Sequence, residues 1–139
     1  MKNKKKKLKS FDVQKSFNSA IIRRDKVCRV IDGNSCCSGR LQCSHFFTVG
    51  GNGALRFYPF NAFAQCASHH LAHHHRNPLF YAQFMQHNYA EELEFMERVR
   101  GKPLHYSQEI LFKIKDFCDN DNLLELRNYL RELMEGNNG

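Results

Sequence analysis

Two features that the sequence lacks exclude whole classes of protein. No run of about 18 apolar residues occurs in the chain, so the sequence predicts no membrane-spanning helix. The N-terminus, MKNKKKKLKS, is charged and has no apolar segment behind it, so a secretory signal is not indicated either. We therefore expect a soluble protein of the cytoplasm.

Acidic residues are scarce relative to basic ones. The 139 residues include 14 Asp and Glu against 21 Lys and Arg, which gives a formal net charge of +7 with the histidines neutral. A surplus of this sign usually indicates a polyanionic partner, and nucleic acid is the natural candidate. Six lysines lie between Lys2 and Lys9, so we expect residues 1–10 to form a flexible arm. The alternative is that this arm only improves solubility.

The rest of the chain is expected to fold as one domain of the α+β class. Its composition, 42% hydrophobic and 12% aromatic, is sufficient for a real core. An alternating stretch Leu41–Thr48, a loop with three glycines and a second stretch Leu55–Tyr58 predict a hairpin that places Cys43 and His45 on one face. Helical spacing of apolar residues predicts helices over these ranges: Phe11–Arg24, His69–His75 after an N-cap at Ser68, Pro78–Val99, Ser107–Cys118 and Asn122–Met134.

The cysteines favour a metal site over disulfides. Six cysteines in a chain without an export signal would stay reduced, and thiols among histidines are typical metal ligands. Cys66 and His69 lie three residues apart at a predicted helix start, and two upstream thiolates would complete a tetrahedral zinc site. The predicted structural zinc ligands are Cys28, Cys36, Cys66 and His69, with Cys37 interchangeable with Cys36. The alternative is that these cysteines are small buried hydrophobic residues.

Five of the eight histidines fall within the seven residues His69–His75. On a helix, residues four apart share a face, so His70 lies beside His74, and His69 beside His73. Five imidazoles in so short a stretch are hard to bury as neutral core residues. We therefore expect one pair to face the zinc or the core, and His70 and His74 to converge on a second, catalytic cation.

His45 is the candidate general base for phosphodiester hydrolysis. A neutral imidazole can take a proton from water near pH 7, while a divalent cation stabilises the charge that develops on the phosphate. Asn61 could hold this imidazole in the required tautomer by accepting its other N–H through the amide carbonyl. His45, Asn61 and His70 thus form a consistent catalytic set, although His45 alone in an apolar strand would equally be structural.

Four arginines are candidates for binding nucleic acid. Arg56, on the predicted second strand, could contact the scissile phosphate, and its alternative role is a surface salt bridge with a glutamate. Arg23, Arg24 and Arg40 would supply phosphate contacts that do not depend on base sequence. None of these contacts fixes a target sequence.

Taken together, these motifs resemble a known superfamily. The chain contains Gln42-Cys43-Ser44-His45-Phe46, then Arg56-Phe57, Asn61, Cys66-x-x-His69-His70 and Asn77-Pro78. This order resembles the HNH nucleases, in particular the phage NinG-like recombination nucleases, over residues 28–84. The resemblance implies a ββα-metal fold with structural Zn²⁺ and one-metal cleavage of duplex or branched DNA. It also implies that His45 is the general base, that Asn61 orients the His45 ring and that His70 is a metal ligand. It also implies a phage-encoded protein acting in the cytosol of a bacterial host.

The sequence departs from the HNH pattern at two positions. Many HNH proteins carry an acidic metal ligand directly before the catalytic histidine, where Ser44 stands here. His69 stands where a second cysteine is usual, an exchange that zinc accepts. The catalytic cation, Mg²⁺, Mn²⁺ or Ni²⁺, would therefore be held by His70 and His74, or Ser44 would act through water. A histidine-only site favours Mn²⁺, Ni²⁺ or Zn²⁺ over Mg²⁺.

The expected organisation is a flexible arm at residues 1–10, an HNH core with the zinc motif at 11–100, and a helical extension at 101–139. The apolar stripes of the extension would pack either on their own domain or on a second copy in a homodimer. The main alternative function is a catalytically silent, zinc-stabilised module that binds nucleic acid. A metal-storage or sensor protein would leave Asn61 and the basic arm without a role.

Overall fold

A computed structural model describes residues 6–33, 35–75 and 77–136, apart from the side chain of residue 75. Within these ranges the α+β class is confirmed, with six α-helices and one sheet of two strands. The elements are α1 (Ser10–Asp25), β1 (Leu41–His45), β2 (Ala62–Cys66), α2 (Ala67–His75), α3 (Leu79–Asn88), α4 (Ala90–Val99), α5 (Gln108–Asp119) and α6 (Leu123–Glu135). None of the described helices has the length and apolar character needed to cross a lipid bilayer.

The hairpin is present, but its second strand lies further along the chain than the sequence indicated. β1 pairs antiparallel with β2, with His45 opposite Ala62, and α2 follows β2 without a gap. The strand predicted over Leu55–Tyr58 is wrong, because this segment is a pair of turns between two short 3-10 helices, Gly53–Leu55 and Pro59–Asn61.

Burial explains the error about the second strand. Leu55, Phe57 and Tyr58 are all fully buried, so the apolar run reflects a turn packed into the core rather than the half-exposed face of a strand. β2 itself is buried at every one of its five residues and therefore carries no alternating pattern. The first strand also ends at His45 rather than at Thr48.

The long helix predicted over Pro78–Val99 is two helices, α3 and α4, separated by Tyr89. The backbone of Tyr89 leaves the helical region at φ −138° and ψ 44°. Its hydroxyl accepts a hydrogen bond from Arg29 (3.0 Å), and its ring packs against Phe63 at 5.0 Å between centroids. Tertiary packing of one tyrosine therefore overrides a helical pattern that continues on both sides.

The two ends of the described chain pack together. Residues 1–5 of the predicted arm lie outside the described residues. Leu8, within that arm, donates its backbone N–H to the Gln108 side chain (2.9 Å) and accepts from the same amide (2.8 Å). α1 begins at Ser10, and α5 packs along it. Leu8 and Ser10 of the predicted arm are thus part of this packing, and α5 of the helical extension packs on its own chain.

Besides its apolar packing, α6 is joined to α4 and to the hairpin loop through one buried carboxylate. Glu92 of α4 accepts hydrogen bonds from Arg127 (2.6 Å) and Arg131 (2.9 Å) of α6, and from the hydroxyl of Tyr58. Burial opposes ionisation of this carboxyl, but the hydrogen bonds from Tyr58 and the two arginines outweigh it and lower the pKa of Glu92. The hairpin, α4 and α6 thus form one continuous body.

Candidate metal centre and hairpin site

Four side chains of metal-binding type meet where the hairpin joins α2. They are Cys28, Cys37, Cys66 and His69, and their ligand atoms all lie within 4.8 Å of one another. Cys66 ends β2 and His69 lies in the first turn of α2, so the direct strand-to-helix junction brings these two together. The other two come from the segment between α1 and β1.

A close approach of the backbone brings that segment to the start of α2. Gly39 has a positive φ of 85°, and a Cβ placed on it would lie 2.7 Å from the Cβ of Ala67. Only glycine accommodates both this φ and this contact. The neighbouring carbonyl of Ser38 accepts the backbone N–H of Ser68 at 3.1 Å. The loop that carries Cys37 is therefore held against the first turn of α2.

The distances in this cluster fit a tetrahedral zinc site. The Nδ1 atom of His69 lies 3.7 Å from the Sγ of Cys28, 3.6 Å from that of Cys37 and 3.2 Å from that of Cys66. Ligand atoms of tetrahedral zinc are separated by about 3.5–3.8 Å, given bonds of about 2.0–2.3 Å. His69 Nε2 lies 3.3 Å from the carbonyl oxygen of Asp32. Because a carbonyl can only accept, Nε2 carries the proton and Nδ1 keeps its lone pair. The cluster could therefore hold a metal such as zinc.

The thiols of this cluster differ in their ease of ionisation. Burial raises the pKa of Cys28 to about 12. Burial also opposes ionisation of Cys66, but hydrogen bonds from the backbone of His69 and Ser38 lower its pKa to about 6. Of these two thiols, Cys66 therefore forms the thiolate, which is the form that binds a metal, more readily.

The structure distinguishes between the two adjacent cysteines that the sequence left interchangeable. Both are exposed, but Cys37 belongs to the cluster, whereas Cys36, the first choice from the sequence, lies outside it. The other three predicted ligands, Cys28, Cys66 and His69, are brought together as expected.

His45 is the last residue of β1, and its ring is fixed on two sides. Its Nε2 lies 3.0 Å from the carbonyl oxygen of Arg56, and the ring stacks on Phe17 at 5.7 Å between centroids. Since the carbonyl accepts, Nε2 carries the proton and the lone pair is left on Nδ1. Burial lowers the pKa of His45 below its ordinary value of 6.5, and the charges of Arg56 and His70 lower it further. The imidazole is therefore neutral at pH 7.

Asn61 fixes the loop between the strands rather than the imidazole. Its side-chain oxygen accepts the N–H of Phe47 (2.8 Å), and its amide donates to the carbonyls of Phe47 (3.1 Å) and Leu55 (3.2 Å). The expected hydrogen bond from His45 to Asn61 is wrong, because the carbonyl of Arg56 takes that place. Asn61 is fully buried, so its three bonds determine where the loop leaves β1.

The histidines of α2 form a continuous group of rings. His70 and His74 lie 4.8 Å apart between ring centroids, as expected for residues one turn apart, and His73 lies 4.9 Å from His74. His70 Nδ1 is 2.6 Å from the side-chain oxygen of Gln42 on β1. Burial, with the charges of His74 and His70, lowers the pKa of His73 to about 4. The side chain of residue 75 is not described.

Ser44, which occupies the position of the missing acidic ligand, is fully buried. Its backbone carbonyl accepts the hydroxyl of Tyr81 at 2.7 Å. Among the described residues, the Oγ of Ser44 and the Nδ1 of His73 have no hydrogen-bond partner.

The comparisons with known proteins identify the family. A family model described as Bacteriophage Lambda NinG protein matches residues 1–125. The chain belongs to the NinG family. A search of curated proteins and a search of solved structures each gave no match. The part of this NinG-family chain that matches contains the hairpin, the Cys and His cluster and the described helices α1 to α5, but only the first three residues of α6.

The predicted DNA-binding arginines of the NinG-family chain fall into two groups. Arg23 pairs with Asp121 at 2.8 Å, and Arg24 binds Asp25 and the carbonyls of Pro59 and Ala62. These two side chains are occupied by intramolecular contacts. The described ion pairs include neither Arg40, which is exposed before β1, nor Arg56, whose Nε donates to the neutral side chain of Gln14.

Two groups that contribute to this site in the NinG-family chain were not predicted from the sequence. The carbonyl of Arg56 orients His45, and the amide of Gln42 contacts His70. The role of a backbone carbonyl cannot be predicted from residue types, because every residue has one. Gln42 alternates along β1 with Cys43 and His45 and so lies on the other face of the strand. This alternation is the feature of the sequence that could have indicated its contact with α2.

Proposed function

We propose that this protein is a metal-dependent endonuclease of the HNH type, which hydrolyses DNA phosphodiester bonds in phage recombination or DNA processing. The main support is one arrangement of three elements. His45 ends β1, β2 pairs with it, and α2 follows directly with His70 in its first turn. A strand–strand–helix order of this kind is what a ββα-metal core requires, and Asn61 closes the loop between the strands.

In the proposed reaction His45 is the general base. Nδ1 of the neutral imidazole accepts a proton from a water molecule, whose oxygen attacks phosphorus as the bond to the leaving oxygen breaks. The Arg56 carbonyl keeps the proton on Nε2 and supports the imidazolium that forms. Asn61 acts as a positioning residue, because it fixes the chain immediately after His45.

His70 and His74 are proposed to hold the catalytic cation. The donor set consists of two imidazoles one turn apart and the neighbouring amide oxygen of Gln42, with Ser44 in place of a carboxylate. These donors suit Mn²⁺, Ni²⁺ or Zn²⁺ better than Mg²⁺, which prefers oxygen ligands. When bound, such a cation neutralises charge that develops on the scissile phosphate.

The cluster of Cys28, Cys37, Cys66 and His69 is proposed to be a separate, structural zinc site. Its four protein ligands leave no open position for a substrate, as is usual for structural zinc. Its role is to fix the segment before β1 against the start of α2. Arg40 and Arg56 are proposed to contact the DNA backbone.

The test is cleavage of supercoiled plasmid and of a branched DNA substrate, with Mg²⁺, Mn²⁺, Ni²⁺ or EDTA. We expect cleavage with Mn²⁺ or Ni²⁺, less with Mg²⁺, and none with EDTA. The His45→Ala variant should remain folded and bind the same DNA, but lose cleavage. Cleavage that persists in this variant would contradict the assignment of His45.

The second candidate function is a catalytically silent, zinc-stabilised module that binds nucleic acid. It is favoured by one observation, the buried Ser44 where an acidic metal ligand is expected. Under this alternative the wild-type protein binds DNA but cleaves neither substrate with any of the cations.

A further inference from the structure

The arginines of the described residues divide by their partners. Six form ion pairs with Asp or Glu side chains, and these are Arg23, Arg24, Arg29, Arg98, Arg127 and Arg131. Arg40, Arg56 and Arg100 are absent from the described ion pairs. A guanidinium that no carboxylate neutralises is the kind of group that a polyanion attracts.

These three arginines are all connected to the hairpin. Arg40 directly precedes β1, and Arg56 lies between the strands, where its carbonyl binds His45. Arg100 comes from the distant end of α4, and its guanidinium lies 4.5 Å from the centroid of the Phe47 ring. Phe47 is two residues beyond His45 and is fixed by Asn61. The fold thus brings a cation from the C-terminal part of the chain to the strand end that carries His45.

The position of Arg100 leaves its hydrogen-bonding edge available. A contact of a guanidinium with an aromatic ring does not use its N–H donors, and among the described residues the Arg100 guanidinium makes no hydrogen bond or ion pair. Arg100 is exposed. A planar edge of this kind can bind two phosphate oxygens at once. The contact with Phe47 therefore positions Arg100 without using the donors that a phosphate needs.

The segment that follows Arg100 is fixed against the same loop. We call residues 100–107, between α4 and α5, the α4–α5 linker. The hydroxyl of Tyr106 donates to the carbonyl of Gly53 at 2.6 Å, and its ring meets Phe57 edge-on at 5.1 Å. Lys102 and His105 of the linker are exposed. The linker is therefore held against the hairpin loop and forms part of the surface around it. Most of the linker belongs to the C-terminal extension by sequence.

We propose that the α4–α5 linker binds the phosphate backbone of duplex DNA beside His45, with Arg100 over Phe47 as its anchor. This inference rests on the proposed function, since it assigns a surface for the DNA that the His45 site would cleave. Arg100 contacts substrate away from the reacting atoms, so it contributes to binding rather than to proton transfer.

The test is the salt dependence of binding to a fluorescent DNA duplex, measured by anisotropy without added divalent cation, with a gel to show that the duplex stays intact. Arg100→Ala should reduce the slope of log K against log salt by about 1 and weaken binding roughly five- to tenfold at about 0.1 M salt. Arg100→Lys should keep the slope but recover only part of the affinity, because an ammonium lacks the planar edge.

The matched control is Arg98→Ala, two residues earlier on the same helix. Arg98 already pairs with Glu135 at 3.3 Å, so its loss should leave the slope unchanged. Equal effects of the two alanine variants, or an unchanged slope for Arg100→Ala, would overturn the inference even if His45-dependent cleavage is observed. A reduced slope for Arg100→Ala alone would support it even if no cleavage occurs, in which case only the proposed nuclease activity fails.

Discussion

Replacing Cys37 with serine should remove zinc from the protein, whereas the same change at Cys36 should not. Both cysteines are exposed, but only Cys37 has its Sγ within the cluster of four side chains that could hold the metal. A structural metal contributes its binding free energy directly to folding, so a weaker site means a less stable protein. These two variants differ by one position in the chain, and each changes one sulfur to oxygen.

The expected magnitude follows from the loss of one ligand of four. If zinc affinity falls at least 100-fold, the folded state loses about 3 kcal/mol, because each tenfold change is worth about 1.4 kcal/mol. For a chain of this length 1 kcal/mol corresponds to about 3–5 °C in Tm, so Cys37→Ser should melt about 10 °C lower. Cys36→Ser should stay within about 2 °C of the wild type, as is usual for an exposed position.

The assay combines zinc content, measured by plasma mass spectrometry on dialysed protein, with thermal unfolding followed by circular dichroism. We expect one zinc per chain in the wild type and in Cys36→Ser, and less than half of that in Cys37→Ser. The reasoning would be refuted if the two variants exchanged behaviour, or if neither changed zinc content or Tm.

Two further predictions concern the hairpin. Asn61→Ala should lower the free energy of unfolding by about 2–4 kcal/mol in urea denaturation, because buried backbone groups of the loop lose their partners; a loss no greater than that of the exposed Asn88→Ala would contradict this. For cleavage, the base must be neutral and burial lowers the pKa of His45, so activity should persist as pH falls and decline only through a value below 6.5. An acid limb centred above 6.5 in kcat/KM would count against His45 as the base.

Part of the candidate site could be predicted from the spacing of its residues along the chain. Cys66 and His69 lie one helical turn apart, so their meeting needs only the helix that begins at Ala67. The pairing of His70 with His74 follows from the same periodicity. The sequence could not predict which of Cys36 and Cys37 joins the cluster, because this depends on the path of the loop that Gly39 holds against α2.

Features that depend on tertiary packing were not predictable in this way. The helical pattern runs through Tyr89 without interruption, but α3 ends there, where the Tyr89 side chain contacts Arg29 and Phe63 from distant parts of the chain. The hairpin loop contains a run of buried apolar residues, and in the sequence such a run looks like a strand. Arg100 lies more than 50 residues from Phe47 along the chain, so no local pattern connects the two.

The most direct test of the central claim is a single-turnover measurement of DNA cleavage by His45→Ala, beside the wild type and His87→Ala, a change of an exposed histidine on α3. With zinc-loaded protein, Mn²⁺ and saturating enzyme at a temperature where every variant is folded, the account predicts a rate at least about 100-fold lower for His45→Ala, with unchanged DNA affinity, and a wild-type rate for His87→Ala. Equal rates for all three proteins, or no cleavage by the wild type with any cation, would contradict it.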